Sequence, residues 1–336
     1  MNENPVILQI KNLSKDFEIK GKKLLSKKSV LHALNDISLD IHEGEVLGII
    51  GESGCGKSTL GRCLVGLHKP TKGDILFEGK SITKLSSKEQ FDLCKNIQMV
   101  FQDPYSSLDP RHTAADSVSE PMIVHKTVKG KKELEKRVLE LFRQVGLDVQ
   151  HINRYPHEFS GGQRQRLNVA RAISIQPKVI VCDEPVSALD VSIQAQVINL
   201  LKGLQKKYNL TYVFISHDLS VVKYVSDRIA IMYLGKIVEL CNGGDIYKNP
   251  LHPYTKALLS AIPPESPDET KERIALSGEV PSPIGERAGC PLAGRCPHCM
   301  ERCKIEVPNL VSYGEEGHQV ACFLYEDKES KGRKMR

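Results

Sequence analysis

One stretch constrains this chain more than any other. Glu45-Val46-Leu47-Gly48-Ile49-Ile50 reads as a buried strand and runs directly into Gly51-Glu52-Ser53-Gly54-Cys55-Gly56-Lys57-Ser58-Thr59, which fits the pattern G-x-x-x-x-G-K-[ST]. Its glycines let the backbone curl with N–H groups turned inward, and the helix expected after it presents its positive end to the same point. A strand, a curled loop and a helix in this order cradle phosphate groups. In such a loop Lys57 reaches the β- and γ-phosphates and Ser58 ligates Mg²⁺, so residues 51–59 are the expected nucleotide contacts.

The rest of the chain agrees with that start. Apolar runs return at Val179-Ile180-Val181-Cys182 and Thr211-Tyr212-Val213-Phe214-Ile215, separated by the helical spacing of Ile193, Val197, Leu200, Leu201 and Leu204. Further upstream, Leu134, Val138, Leu141, Phe142 and Val145 recur at three or four residues and predict an amphipathic helix. Strands alternating with helices imply an α/β fold with a parallel sheet. A divalent cation beside phosphates needs hard oxygen ligands, and Asp183-Glu184 supplies them at the end of an apolar strand. Asp183 is expected to hold Mg²⁺, directly or through water, and Glu184 to polarise the attacking water as general base.

Composition narrows the alternatives. The chain has 336 residues, 40% hydrophobic and 26% charged, enough for a packed core and more than one compact unit. Its longest aliphatic runs fall short of the about 18 residues that span a bilayer, so it is not expected to cross a membrane. A net charge of +6 is too modest to call for nucleic acid. Met1-Asn2-Glu3-Asn4-Pro5 shows no basic segment followed by an apolar one, which points to the cytosol. There the ten cysteines serve as thiols or metal ligands. Cys55, Cys63, Cys94, Cys182 and Cys241 are scattered and read as small apolar side chains, mostly buried. Lys20-Gly21-Lys22-Lys23 and Lys27-Lys28 read as a basic insertion, a solvated loop with a membrane-surface contact as the alternative. Beyond Asn249-Pro250 proline becomes dense and marks an irregular extension, a smaller module from about residue 241 to 330, and residues 331–336 form a basic tail.

Phe159-Ser160-Gly161-Gly162-Gln163 contains an S-x-x-Q capping box that opens another helix. One helix cannot easily share a phosphate with the loop around Lys57, so its positive end is expected to face a nucleotide held by another subunit. At this point the chain resembles the ABC transporter ATPase family, whose signature these residues form. The remaining family elements follow in order: Gln102 in Val100-Phe101-Gln102-Asp103, Ser187-Ala188-Leu189-Asp190, and His217 in Ile215-Ser216-His217-Asp218. The resemblance covers roughly residues 5 to 240. It implies a P-loop NTPase with a parallel-sheet core, an antiparallel β-subdomain and an inserted helical subdomain over residues 104–170. It further implies that Gln102 senses Mg²⁺ and links the nucleotide to a membrane partner, and that His217 contacts the γ-phosphate beside Lys57 and Glu184. Asp190 would lie at the dimer interface, Ser160, Gly161, Gly162 and Gln163 would act on the neighbour's nucleotide, and Phe17 would stack on adenine. Two subunits would close head to tail over two ATP molecules and reopen on hydrolysis.

The extension adds a narrower likeness. Asn249-Pro250-Leu251-His252-Pro253-Tyr254 and Gly278-Glu279-Val280-Pro281-Ser282-Pro283 resemble the C-terminal region of the oligopeptide/dipeptide importer subfamily, as does the spacing of Cys290, Cys296, Cys303 and Cys322. Four thiols in a segment poor in apolar residues suggest a metal centre, with a [4Fe-4S] cluster, zinc or unligated thiols as the open readings and Cys299 as an extra candidate ligand. The resemblance implies a peripheral ATPase subunit on the cytoplasmic face of the membrane. Its partners would be a similar but non-identical ATPase, two permeases and an extracytoplasmic peptide-binding protein. A nickel or glutathione importer, or a soluble ABC ATPase without transport, are the alternatives.

Overall fold

Aliphatic strands set the centre of the molecule. The structure, a computed structural model, describes residues 4–19, 29–262, 272–285, 288–314 and 317–326. The basic insertion and the basic tail expected from the sequence lie outside these residues. The chain opens with β1 (Val6–Ile19), β2 (Ser29–His42) and β3 (Val46–Ile50), then α1 (Lys57–Leu64), β4 (Lys72–Phe77) and β5 (Lys80–Ser81). After α2 (Ser87–Leu93) and β6 (Ile97–Val100) comes a helical stretch of α3 (Ala114–Val124), α4 (Lys131–Gln144) and α5 (Gly161–Ile173). Alternation resumes with β7 (Val179–Asp183), α6 (Val191–Tyr208), β8 (Thr211–Ser216), α7 (Leu219–Val225), β9 (Arg228–Tyr233) and β10 (Lys236–Asn242). The chain then adds α8 (Asp245–Lys248), α9 (Pro253–Ser260), α10 (Glu301–Ile305), β11 (Val311–Ser312) and β12 (Gln319–Val320).

Two sheets result. One is antiparallel, in the order β2-β1-β4-β5. The other holds β9, β3, β8, β7 and β6 as parallel neighbours, with β10, β12 and β11 added antiparallel beside β9. Every residue of β3, β7 and β8 is buried, as a parallel sheet covered on both faces requires. Side chains alternate between the faces. Val179 and Val181 join Leu60, Leu64, Leu8 and Ile10 in one apolar cluster, so α1 and the antiparallel sheet cover that face. Ile180 and Cys182 join Val118, Phe142 and Leu201 in the other, so α3, α4 and α6 cover the opposite face. The amphipathic helix read from the sequence is α4, which buries Val138, Leu141 and Phe142.

The extension is tied to this sheet by a buried acid. Glu239 on β10 is fully buried and accepts hydrogen bonds from the N–H groups of Leu251 (2.8 Å) and His252 (2.9 Å), while His318 Nε2 lies 2.7 Å from its carboxylate. His252 in turn caps α9, its Nδ1 accepting the Tyr254 N–H at 3.1 Å. A ring protonated at Nδ1 could not accept that bond, and burial holds the His252 pKa down, to about 4 from an ordinary 6.5. As pH falls, the unfolded chain therefore takes up this proton first, so stability is full above pH ~6.5 and is lost down to pH ~4, by on the order of 3 kcal/mol. The expected urea midpoint falls across that window. His252→Asn, which can still cap α9, should flatten the fall, and an unchanged slope would place the proton uptake elsewhere.

Candidate functional site

The loop after β3 takes the shape its glycines allow. Gly54 and Gly56 have φ of +79° and +104°, a region open to glycine and strained for other residues. A Cβ on Gly56 would collide with the Ala33 carbonyl, and one on Gly51 with the Met232 carbonyl. Gly56 is the N-cap of α1, so the loop delivers Lys57 and Ser58 into the first turn of that helix. Lys57 is buried, and its Nζ donates to the carbonyls of Gly51 (2.6 Å) and Glu52 (3.0 Å).

Strand ends bring the acids alongside. Ser58 Oγ donates to Asp183 Oδ1 at 2.8 Å. Asp183 is buried, and burial pushes its carboxyl above the usual range, an effect the Ser58 hydroxyl and the Arg62 charge partly offset. A divalent cation held by Ser58 and Asp183 would reverse that shift, so these oxygens suit Mg²⁺. Glu184 follows with φ +46°, a left-handed conformation that costs a non-glycine residue about 1 kcal/mol, and its N–H donates to Ile215 O at 2.9 Å. Its carboxylate is 14% exposed, and the Oε2 atom accepts from Gln102 Nε2 at 2.8 Å and lies 3.2 Å from His217 Nδ1.

These groups surround one cavity of about 470 Å³, lined by Ser53, Gly54, Gly56, Lys57, Ser58, Thr59, Gln102, Glu184 and His217 on its polar side. That volume is within the range of ligand clefts, about 300–1,000 Å³. Phe17, Leu31, Ala33 and Pro283 supply an apolar wall. The Phe17 ring is also contacted by Lys15 Nζ, 4.9 Å from its centroid, and edge-on by His68. Gly51, Glu52, Cys55 and Asp183 stand behind the lining. Leu31 and Ala33 carry no local motif and were not legible in the sequence, and Pro283, the end of the Gly278–Pro283 motif, reaches the cavity from the C-terminal extension, a role that motif did not indicate.

Ser160, Gly161, Gly162, Gln163 and Asp190 do not line this cavity. Ser160 and Gln163 form the expected reciprocal cap of α5, with Ser160 N–H donating to Gln163 Oε1 at 2.9 Å and Gln163 N–H to Ser160 Oγ at 3.3 Å. Asp190 caps α6 by accepting the Ile193 N–H at 3.1 Å, and the absent Cβ of Gly162 leaves room for the Ile193 side chain.

The cysteines depart from expectation. Cys290, Cys296, Cys303 and Cys322 line one small cavity of about 10 Å³, room for about one water. Among the described residues no group of three or more His, Cys, Asp or Glu is arranged to hold a metal ion, so the expected ligand set converges without reaching ligation geometry. Burial pushes Cys290 and Cys322 up to about 11 and raises Cys296, which favours protonated thiols, whereas metal binding needs thiolates. Cys299 is not part of that lining, and its Sγ lies 3.6 Å from Met300 O. Of the scattered cysteines, Cys55, Cys63, Cys182 and Cys241 are buried and Cys94 is half-buried.

Known proteins share both parts of this arrangement. A family model for the ABC transporter matches residues 34–187, and one for the oligopeptide/dipeptide transporter C-terminal region matches residues 238–303. The chain is 49% identical to the oligopeptide transport ATP-binding protein AppF of Bacillus subtilis, covering 95% of this chain and 97% of that one. It is 47% identical to the oligopeptide transport ATP-binding protein OppF of Escherichia coli, covering 95% and 96%. Among solved structures, an ATP-binding cassette in a dimeric post-hydrolysis state bound to ADP and Pi matches with TM-score 0.63 and 31% identity, over 70% of this chain and 98% of that one. CbiO1 of Clostridium perfringens, part of the ABC transporter complex CbiONQ, matches with TM-score 0.62 and 29% identity, over 73% and 91%.

The loop geometry can be tested without any partner. Gly56→Ala forces a side chain into a left-handed turn and against the Ala33 carbonyl, while the sheet beneath is untouched. Fluorescent nucleotide binding is expected to fall by more than about tenfold, on the order of 1.4 kcal/mol, with far-UV circular dichroism retained. Parental affinity in that variant would show that the turn is not what shapes the site.

Proposed function

The chain belongs to the ABC transporter ATP-binding family, and we propose that it is the ATP-hydrolysing subunit of an importer of oligopeptides or dipeptides. One observation carries the catalytic part: Ser58 is bonded to Asp183, Gln102 is bonded to Glu184, and His217 Nδ1 lies 3.2 Å from the same carboxylate, around a single cavity floored by the glycine loop. That arrangement puts a cation-holding pair beside a carboxylate oriented from two sides. Ser58 and Asp183 would hold Mg²⁺, which would neutralise phosphate charge there. Lys57 offers its ammonium to the same oxygens, and the inward N–H groups of the loop and of α1 fix the phosphate chain.

Glu184 is the general base in this reading. Gln102 and His217 hold its Oε2 atom, so the carboxylate keeps one orientation toward an attacking water. Phe17, Leu31 and Ala33 form the apolar surface for the base, with Phe17 as its stacking partner. The helix start at Ser160, Gly161, Gly162 and Gln163 serves the nucleotide of a second ATPase subunit, with Asp190 beside the same interface, because it lies outside this chain's own cavity. ATP then favours the closed pair since only there does it gain the second set of contacts.

No helix among the described residues is long and apolar enough to cross a membrane. The spanning role is assigned to two permease subunits, cargo delivery to an extracytoplasmic peptide-binding protein, and this chain to the cytoplasmic face as a peripheral subunit paired with a non-identical ATPase. The support for peptide as cargo is the match of the C-terminal region and the near full-length identity to oligopeptide transport proteins. Reconstitution with permeases in vesicles is the test. ATP-driven peptide uptake is expected with the parent, and Glu184→Gln should retain ATP binding while turnover falls by about a thousandfold, ~4 kcal/mol of lost transition-state stabilisation. Equal hydrolysis rates in the two would remove Glu184 from its role.

A finer reading concerns the extension: Cys290, Cys296, Cys303 and Cys322 holding a [4Fe-4S] cluster or zinc. Four thiols facing one cavity favour it, and their separation and the raised pKa values of Cys290, Cys296 and Cys322 weigh against it. Metal and sulfide analysis of anaerobically purified protein decides the matter. Stoichiometric iron with sulfide, or zinc, supports a metal centre, and four titratable free thiols without metal leave these cysteines as packing residues.

A further inference from the structure

Glu52 is the second residue of the glycine loop, and its polar groups are engaged from three sides. Its carbonyl accepts Lys57 Nζ at 3.0 Å. Its N–H donates to Tyr254 Oη at 2.9 Å. Its carboxylate oxygens lie 3.3 and 3.5 Å from Arg295 Nη1. Tyr254 and Arg295 both belong to the C-terminal extension, more than two hundred residues further along the chain.

Arg295 is pre-set for this contact. Its side chain is only 11% exposed, and Nη1 also lies 3.3 Å from Tyr233 Oη. Its backbone sits in a tight turn, with the Arg295 and Cys296 N–H groups donating to the carbonyl of buried Leu292 at 2.8 and 2.9 Å. Tyr254 is fully buried and packs against Tyr233, ring centroids 4.6 Å apart. A carboxylate in a loop that receives a polyphosphate opposes its own ligand, since like charges at short range repel strongly where water is thin. Arg295 sets a positive charge against that carboxylate, and Tyr254 holds the loop backbone beside it.

We propose that Arg295 is a positioning residue for the nucleotide site, acting through Glu52 so that the extension holds the phosphate-binding loop neutral and in shape. The inference rests on the reading of residues 51–59 as the ATP loop. It differs from a simple docking role in one respect: the damage from losing Arg295 comes from an uncompensated Glu52, so removing that second charge repairs it.

The test uses the assembled transporter and ATP, with steady-state kinetics and thermal melting for each variant. Arg295→Gln is expected to raise the KM for ATP about tenfold, ~1.4 kcal/mol, with kcat within about twofold, the pattern of lost uniform binding. Arg295→Lys keeps the charge and should stay near the parent. The double variant Arg295→Gln with Glu52→Gln should return KM to within about threefold of the parent, ~0.6 kcal/mol. An unchanged KM in Arg295→Gln overturns the proposal, and so does a raised KM that Glu52→Gln fails to repair, since both leave Arg295 a docking contact. Lys57→Ala separates the two readings. If it binds ATP like the parent, the loop assignment itself fails. If it loses ATP while Arg295→Gln does not change KM, only the Arg295 proposal falls.

Discussion

Ile50 lies opposite Ser216, and Asp183 lies opposite Ile215. The register of three fully buried parallel strands thus brings the loop after β3, the acids at the end of β7 and His217 just after β8 to one edge of the sheet. This is where open α/β sheets bind their ligands, beyond the carboxyl ends of the strands. A shift of one strand by a single residue would turn its buried faces over and separate Ser58 from Asp183. The apolar cores on the two faces therefore do more than stabilise the sheet: they fix the distances on which the chemistry depends.

The parts of the site governed by local rules were open to reading from the chain. The glycine loop, the acids ending an aliphatic run and the Ser160–Gln163 cap each depend on residues a few positions apart, where backbone geometry and hydrogen bonding dictate residue type. Pro283, Tyr254 and Arg295 were hidden for the opposite reason. Their roles arise only when a proline-rich extension folds back over two hundred residues onto the loop, and no periodicity marks such a contact. The cysteines illustrate a third case. Their spacing suggested a metal centre, but the fold gathers four of them around a space fit for one water, where burial raises the pKa values of Cys290, Cys296 and Cys322.

The join between cassette and extension is equally informative. Proline density beyond Asn249 suggested an irregular extension, and β12 within it pairs with β10, which pairs with β9. Glu239 sits inside that join, fully buried and bonded to two backbone N–H groups and to His318. Hydrogen bonds to a buried carboxylate are stronger than neutral ones, and leaving such a group unpaired is costly. The extension is held by these polar contacts as well as by buried Leu251, Val320 and Leu292.

Gly162 bears on more than local packing. With no Cβ there, α5 seats against Ile193 at the head of α6, and Asp190, which caps α6, stands six positions beyond Glu184 along a segment wound by the bonds from Ser187 N–H to Glu184 O and from Leu189 N–H to Val186 O. The start of one helix, the start of the next and the acid at the sheet edge are thus joined by direct packing and one short, hydrogen-bonded run of chain. A methyl group added at residue 162 would wedge the two helices apart and be felt at the far end of that linkage, although no atom of it approaches the phosphate-holding loop.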